Sequence, residues 1–173
     1  MPILTTITHI RQILQDLPLP GTGGSVLQVV VTPPDPAVDQ EGPYAYVWAD
    51  KGPELRQSLS RPYQGTPRTG STEAGWKCLD HVVNVWLVWF QDQDDPTPDD
   101  SFPIIVDAVM DAFRVAIDPA YNVQDPVTFR YSTLTAIGEK MEYEISPVRV
   151  VASQRLRRYD AIVTIHVNEE FQG

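Results

Sequence analysis

The chain has 173 residues, a formal net charge of −10 and one cysteine, Cys78. This length is typical of one domain that buries its own core, so we expect a single domain over residues 1–173. A single cysteine excludes an intramolecular disulfide framework, and the acidic charge disfavours a general nucleic-acid binder because phosphate repels it.

The first element is a predicted amphipathic helix. Apolar residues recur at three- and four-residue spacings over residues 3–17, which is the pattern of one buried helix face. Thr5 or Thr6 is the candidate N-cap, and we expect Pro18 and Pro20 to end the helix. No signal-peptide pattern opens the chain.

Two short strands are predicted after this helix. The glycine-rich run 21–25 follows a helix and precedes a strand, which is the reverse of a phosphate-binding loop, so we interpret it as a turn. Residues 26–32 are rich in β-branched side chains, and residues 44–48 alternate aromatic and small side chains. Both patterns are typical of strands.

Residues 49–75 form the least regular segment of the chain. They have no hydrophobic period and contain turn-forming pairs such as Gly52-Pro53. Loops longer than about 12–15 residues are uncommon inside compact domains and are usually functional or disordered. Residues 51–72 carry a net charge of +3 and the rest of the chain −13. We therefore predict an extended basic arm that reaches onto a neighbour and orders there; its cationic residues are Lys51, Arg56, Arg61 and Arg68.

Residues 76–91 are predicted to form a strand that is covered on both faces. Apolar side chains occupy both parities of this segment, which indicates helices on one face and a neighbouring subunit on the other. A helix is the competing interpretation, but β-branched and aromatic residues favour a strand. The longest nearly apolar run, 82–90, has nine residues, whereas a membrane helix needs about 20. We expect a soluble protein with no membrane partner.

The remaining elements are one helix and three strands. Residues 102–117 have a helical apolar face, and Ser101 is a plausible N-cap. Alternation then predicts strands near 127–131, 141–145 and 159–167. The predicted fold is α+β: a single, mostly antiparallel sheet with two helices packed on one face and a long extended arm between strands.

No catalytic, cofactor or metal site is predicted. The acidic run between Asp92 and Asp100 does not fit an EF-hand, because the sixth and twelfth positions are Thr97 and Pro103. Cys78 and His81 are three residues apart, so a strand places them on opposite faces, where they cannot act as nucleophile and base. The protein is therefore predicted not to be an enzyme.

Arg155, Arg157 and Arg158 precede the last predicted strand. One interpretation is a solvated entry to that strand. The other is a basic patch that pairs with an acidic surface of the next subunit, such as the loop 92–100, and so sets register and partner choice.

Four features together resemble a known family. They are the opening helix 3–17, the arm 49–75, the strand "HVVNVWLVWFQD" at 81–92 leading to helix 102–117, and the closing strand "RRYDAIVTIHV" at 157–167. Their order and size are similar to those of the tail terminator proteins of long-tailed bacteriophages, and more broadly of the small neck and tail-completion proteins. The resemblance covers most of the chain.

This resemblance implies a structural virion protein. Such a protein forms a ring, usually of six subunits, that caps the tail tube, stops its polymerisation and joins the tail to the head connector. The implied partners are copies of the chain itself, the tail tube protein and the head–tail connector or stopper. Within this family, the expected inter-subunit or tube contacts are Lys51, Arg56, Arg61 and Arg68, with Arg155, Arg157 and Arg158 as a second set. DNA passes through the ring without specific binding. The implied location is the tail or neck of the virion, which assembles in the host cytoplasm.

Two alternatives stay open. The proline-rich stretches 33–43 and 96–98 depart from the family pattern, so a head-closure (stopper) ring or an adaptor ring of the neck is also compatible. From another class, the aromatic residues of 44–48 and 86–89 suit the pocket of a small cytosolic enzyme or ligand-binding domain.

Overall fold

A computed structural model describes residues 2–20, 22, 24–35, 42–49, 76–94, 100–115, 121–124, 131–135, 140–151 and 155–172. The helices are α1 (Pro2–Leu14) and α2 (Ser101–Val115). The strands are β1 (Gln28–Val30), β2 (Tyr44–Ala49), β3 (Trp76–Asp92), β4 (Tyr121–Gln124), β5 (Tyr131–Thr135), β6 (Met141–Ile145), β7 (Arg149–Val151) and β8 (Leu156–Gln172). Of the predicted arm 49–75, all but Ala49 lies outside the described residues.

Helix α1 differs from its prediction at both ends. It already includes Pro2, so the prediction that Thr5 or Thr6 caps it was wrong. Proline suits the first helical position because its missing N–H has no intrahelical partner there. The helix ends at Leu14 rather than at residue 17, and Asp16 takes a left-handed conformation with φ 57°. The chain therefore leaves the helix before it reaches the prolines.

Two backbone hydrogen bonds hold the connection after α1 together. The Leu27 N–H donates to the Leu17 carbonyl oxygen at 2.9 Å, and the Leu19 N–H donates to that of Ser25 at 3.1 Å. Gly24 has φ 98°, a conformation that favours glycine, as the turn interpretation requires. Because the chain pairs with itself here, the predicted strand 26–32 is reduced to the short β1.

The sheet is organised by two long strands. β3 and β8 are antiparallel and pair over their full length, from Trp76 opposite Gln172 to Asp92 opposite Leu156. The strand order is β1-β2-β3-β8-β5-β4, with β6 and β7 also paired to β8. Only the pairing of β1 with β2 is parallel; all other described pairs are antiparallel. The predicted single, mostly antiparallel sheet is confirmed.

The second edge of β8 is shared by three short strands. β5, β6 and β7 follow one another along it, and β4 pairs with the outer side of β5. The bounds of β6 match the predicted strand 141–145, whereas β4 and β7 were not predicted. Of the predicted strand 127–131, only Tyr131 is described, and it begins β5.

Both helices pack on the same face of the sheet, as predicted. The residues of β3 and β8 that face the helices are fully or almost fully buried, including Val83, Val85, Val163 and Ile165 at 0% exposure. They form one cluster with Ile10 and Leu14 of α1 and with Phe102, Ile105, Val109 and Phe113 of α2. Neither described helix is long and apolar enough to cross a membrane.

Candidate functional site

The sheet face opposite the two helices, here called the open face, is the candidate site. Side chains alternate along a strand, so the residues of β3 and β8 between those of the core belong to this face. The register aligns Tyr46, Trp86, Ile162 and Glu144 in one row across β2, β3, β8 and β6. Tyr46 and Trp86 are half-buried, and Ile162 is 40% exposed. Apolar surface therefore reaches solvent on the side without helices.

Stacked aromatic rings line the β2 side of the open face. The ring centroids of Tyr46 and Trp48 are 5.6 Å apart and their planes differ by 20°. Both side chains are only half-buried. Such a pair offers a rigid, largely apolar platform that has few rotamers to lose when it is covered.

Arg158 and Asp160 form a compact polar cluster with Trp86 on this face. The Arg158 guanidinium lies 5.4 Å from the Trp86 ring centroid and 6.0 Å from that of Phe90. Its Nε is 2.8 Å from Asp160 Oδ2, and its Nη2 donates to Oδ1 at 2.8 Å. Trp86 Nε1 also donates to Asp160 Oδ1, at 3.0 Å. The cluster joins β3 to β8 through a charge-assisted pair that stacks on aromatic rings.

A second polar pair lies one row further along the open face. Thr164 Oγ1 donates to Asn84 Oδ1 at 2.8 Å, and Asn84 is buried. On β6, Glu142 and Glu144 are exposed, and Glu142 Oε1 is 3.5 Å from Lys140 Nζ. The open face thus runs from aromatic residues on β2 to carboxylates on β6.

The three arginines predicted as one basic patch have separate partners within the chain. Arg155 Nη2 donates to Asp94 Oδ2 at 2.9 Å, and Arg157 Nη2 donates to the Gln93 carbonyl oxygen at 2.6 Å. Arg157 and Arg158 are adjacent in β8 and belong to opposite faces. The acidic turn after β3, which was expected to meet these arginines on another subunit, is contacted by Arg155 and Arg157 of the same chain.

The other predicted contact residues are not placed. Lys51, Arg56, Arg61 and Arg68 lie outside the described residues. Their role in subunit or tube contacts stays a prediction, as does the role of the three arginines on β8 and before it. Of those three, Arg155 has the most exposed side chain, at 72%.

The described part of the chain contains no group of three or more His, Cys, Asp or Glu side chains that could hold a metal ion. In the β3–β8 register, Cys78 is opposite Glu170 and His81 is opposite Val167. His9 of α1 is buried, and this burial lowers its pKa.

No model of a known protein family matches the chain, and no curated protein is significantly similar to it.

Sequence reasoning did not find the partnership of Asp160 with Arg158 and Trp86. The available signal was the i, i+2 spacing of Arg158 and Asp160, which places opposite charges on one face of a strand. The position of Trp86 beside them depends on the register of β3 with β8, and the two residues that pair across it, Trp86 and Ile162, are 76 positions apart in the chain.

Proposed function

We propose that the chain is a structural subunit of a long-tailed bacteriophage, a tail terminator that assembles into a ring of six. The ring caps the tail tube, stops its polymerisation and joins the tail to the head connector. This proposal combines the family resemblance of the sequence with an α+β fold in which two helices cover only one face of the sheet.

The open face is the observation that carries the proposal. Tyr46, Trp48 and Trp86 are half-buried, and Ile162 is exposed, beside a well-packed core on the other side of the same strands. Adjacent apolar and aromatic side chains at a surface are typical of protein interaction sites. A neighbouring subunit of the ring would cover them, as the apolar character of both faces of β3 predicts.

The basic arm supplies the second surface that a closed ring needs. A cyclic ring joins two different patches of each subunit, so each subunit presents one and receives the other. Residues 51–72 carry a net charge of +3, and the remaining residues −13. This opposite charge favours contact of the arm with the body of a neighbour and speeds their encounter.

The test is negative-stain microscopy with light-scattering mass over a concentration series of the purified chain. We expect rings of several subunits with a central hole, at high concentration or on tail tubes. A compact monomer or dimer at every concentration, with the segment 49–75 resistant to limited proteolysis, would contradict the proposal.

Two matched variants separate the open face from general surface effects. Ile162→Glu places a charge on the open face, and we expect it to abolish rings. Ile104→Glu makes the same change on α2, where the side chain is exposed to a similar degree, 44% against 40%. We expect Ile104→Glu to leave the rings intact, and circular dichroism checks that both variants fold.

A head-closure or adaptor ring of the neck uses the same surfaces and differs in its partner. Binding of purified rings to tail tubes, compared with binding to connectors, distinguishes these roles. A small enzyme or a ligand-binding domain instead predicts a small defined oligomer and a melting temperature that rises with ligand.

A further inference from the structure

β6 and β7 form a strand edge of the sheet that is a separate candidate interaction site, independent of ring formation. β6 and β7 pair with β8 on one side, and no described strand pairs with their other side. Between residues 143 and 150 lie four of the exposed large apolar side chains: Tyr143 (55%), Ile145 (38%), Val148 (45%) and Val150 (61%). A strand edge with exposed apolar side chains and no described partner strand can act as a template for pairing with another chain.

A bulge separates β6 from β7 and changes which residues share a face. Ser146 donates its N–H to the carbonyl oxygen of Asp160, and Arg149 is opposite Arg158. Residues 147 and 148 therefore face the single residue Tyr159, as in a β-bulge, and Pro147 has no N–H to leave unpaired. As a result, even-numbered Glu144 and odd-numbered Arg149 both belong to the open face.

The backbone groups that point outward from this edge follow from the bonds to β8. The carbonyl oxygen of Lys140 accepts from His166, and the N–H of Ser146 donates to Asp160. Alternate residues of a strand direct their N–H and C=O to opposite sides. The backbone groups of Tyr143 and Ile145 are therefore directed away from β8. Past the bulge, those of Val150 are directed outward as well, because Arg149 faces β8.

We propose that this edge pairs with the same edge of a second copy of the chain, antiparallel, around a two-fold axis perpendicular to the sheet. In one register, the residues that lie opposite each other have matching backbone directions and belong to the same face of the sheet. Tyr143 is opposite Val150 of the second copy, and both have outward backbone groups and belong to the helix side of the sheet. Glu144 is opposite Arg149 of the second copy, and both belong to the open face.

Charge selects this register over a direct alternative. If Tyr143 were opposite Tyr143 of the second copy, Glu142 would be opposite Glu144, and like charges directly opposite each other destabilise a strand pair. The bulge permits the proposed register instead, in which Glu144 is opposite Arg149 of the second copy. The two-fold axis makes this pair occur twice in each dimer. Such an interface uses one surface twice, unlike a closed ring, so it does not require the ring proposed above.

Cysteine cross-linking tests the register. Opposite residues of an antiparallel pair have Cα atoms about 4.5–5.5 Å apart, within reach of a disulfide. We expect a mixture of Glu144→Cys and Arg149→Cys chains to form a dimer under mild oxidation. Peptide mass spectrometry identifies the 144–149 disulfide and distinguishes it from any product of Cys78. Each variant alone serves as a control, because 144 is not opposite 144 in this register. No more 144–149 disulfide in the mixture than background would overturn the proposal.

Charge reversal gives an independent readout by analytical ultracentrifugation of the full chain. Glu144→Arg or Arg149→Glu places like charges opposite each other at two symmetric points, and we expect dimerisation to weaken about tenfold or more. The double variant Glu144→Arg/Arg149→Glu restores both pairs and should restore the dimer. Glu142→Arg, which makes the same change opposite Val151, should have little effect. A wild-type chain that is monomeric throughout, or a double variant that is not rescued, would refute the two-fold pairing.

Discussion

Asp160 is a carboxylate that is almost completely buried and therefore depends on its hydrogen-bond and ion-pair partners. It is 6% exposed and accepts hydrogen bonds from Trp86 and Arg158, while Arg158 stacks on two aromatic rings. Removing one partner of a largely buried ion pair leaves the other charge without compensation. The cluster therefore couples β3 and β8 more strongly than the exposed ion pair of Arg155 with Asp94, whose side chains are 72% and 77% exposed.

We predict that Asp160→Asn lowers the free energy of unfolding by about 2 kcal/mol, because Arg158 loses its charged partner while the shape of the site is kept. Asp94→Asn is the matched control. It removes the carboxylate of a solvent-exposed pair, so its effect should stay below about 1 kcal/mol. Urea unfolding monitored by tryptophan fluorescence measures both. Equal losses in the two variants would contradict the stronger coupling that we assign to the cluster.

At the scale of the elements, the two faces of the sheet have different roles. Leu87 of β3 is fully buried, whereas Ile162 of β8 is 40% exposed on the open face. The helix-side residues contribute to folding, and so do Val88 and Phe90 of the open face, which are buried in a second cluster with Tyr44 and Leu156. The exposed and half-buried residues of the open face remain available for contacts with other molecules. This division is the physical basis for proposing an interface on one face only.

We predict that Leu87→Ala costs about 3 kcal/mol of stability, since it removes buried methyl groups and leaves a cavity among packed neighbours. Ile162→Ala removes a similar volume from an exposed position and should cost less than about 1 kcal/mol in the unassembled chain. Denaturant midpoints at equal m-values give the comparison. A large loss from Ile162→Ala in the monomer would mean that the open face is covered by the chain itself.

At the scale of the whole molecule, the proposed assembly gives the arm and the sheet different roles, so the arm can be changed while the sheet is kept. β3 continues from Val83, the partner of Ala49, back to Trp76. This is roughly 23 Å at ~3.3 Å per residue. A shortened arm must still span that distance. Deleting residues 53–72 without a linker would therefore strain the start of β3. Replacing residues 53–72 with about twelve glycine and serine residues keeps enough reach.

We predict that this replacement leaves a folded chain and abolishes ring formation. Residues 53–72 have no hydrophobic period in the sequence, so we expect the melting temperature to change little. A second variant keeps the arm's length and replaces Arg56, Arg61 and Arg68 with glutamine, which separates charge from length. Rings that persist with the linker, seen by negative-stain microscopy, would refute the role proposed for the arm.

Several elements followed from the sequence because their pattern of apolar and polar residues repeats locally. The alternation in β6 gave the bounds of that strand, and the apolar face of α2 located the helix to within a residue at its start. Trp76 was correctly taken as the start of the long β3. Periodicity records which side of an element meets the core, and that information lies within a few turns or pleats of each residue.

Other features were decided only by the tertiary structure. β7 has three residues and β4 has four, too few to show a period, and they pair only with partners elsewhere in the chain. The partners of Asp160 and Arg155, the bulge before β7 and the choice of which sheet face the helices cover depend on register across long sequence separations. Sequence alone determined an α+β chain with one mostly antiparallel sheet and a basic segment. Hydrogen bonding between distant strands decided where its charges and exposed surfaces lie, because strand register is set by packing rather than by local preference.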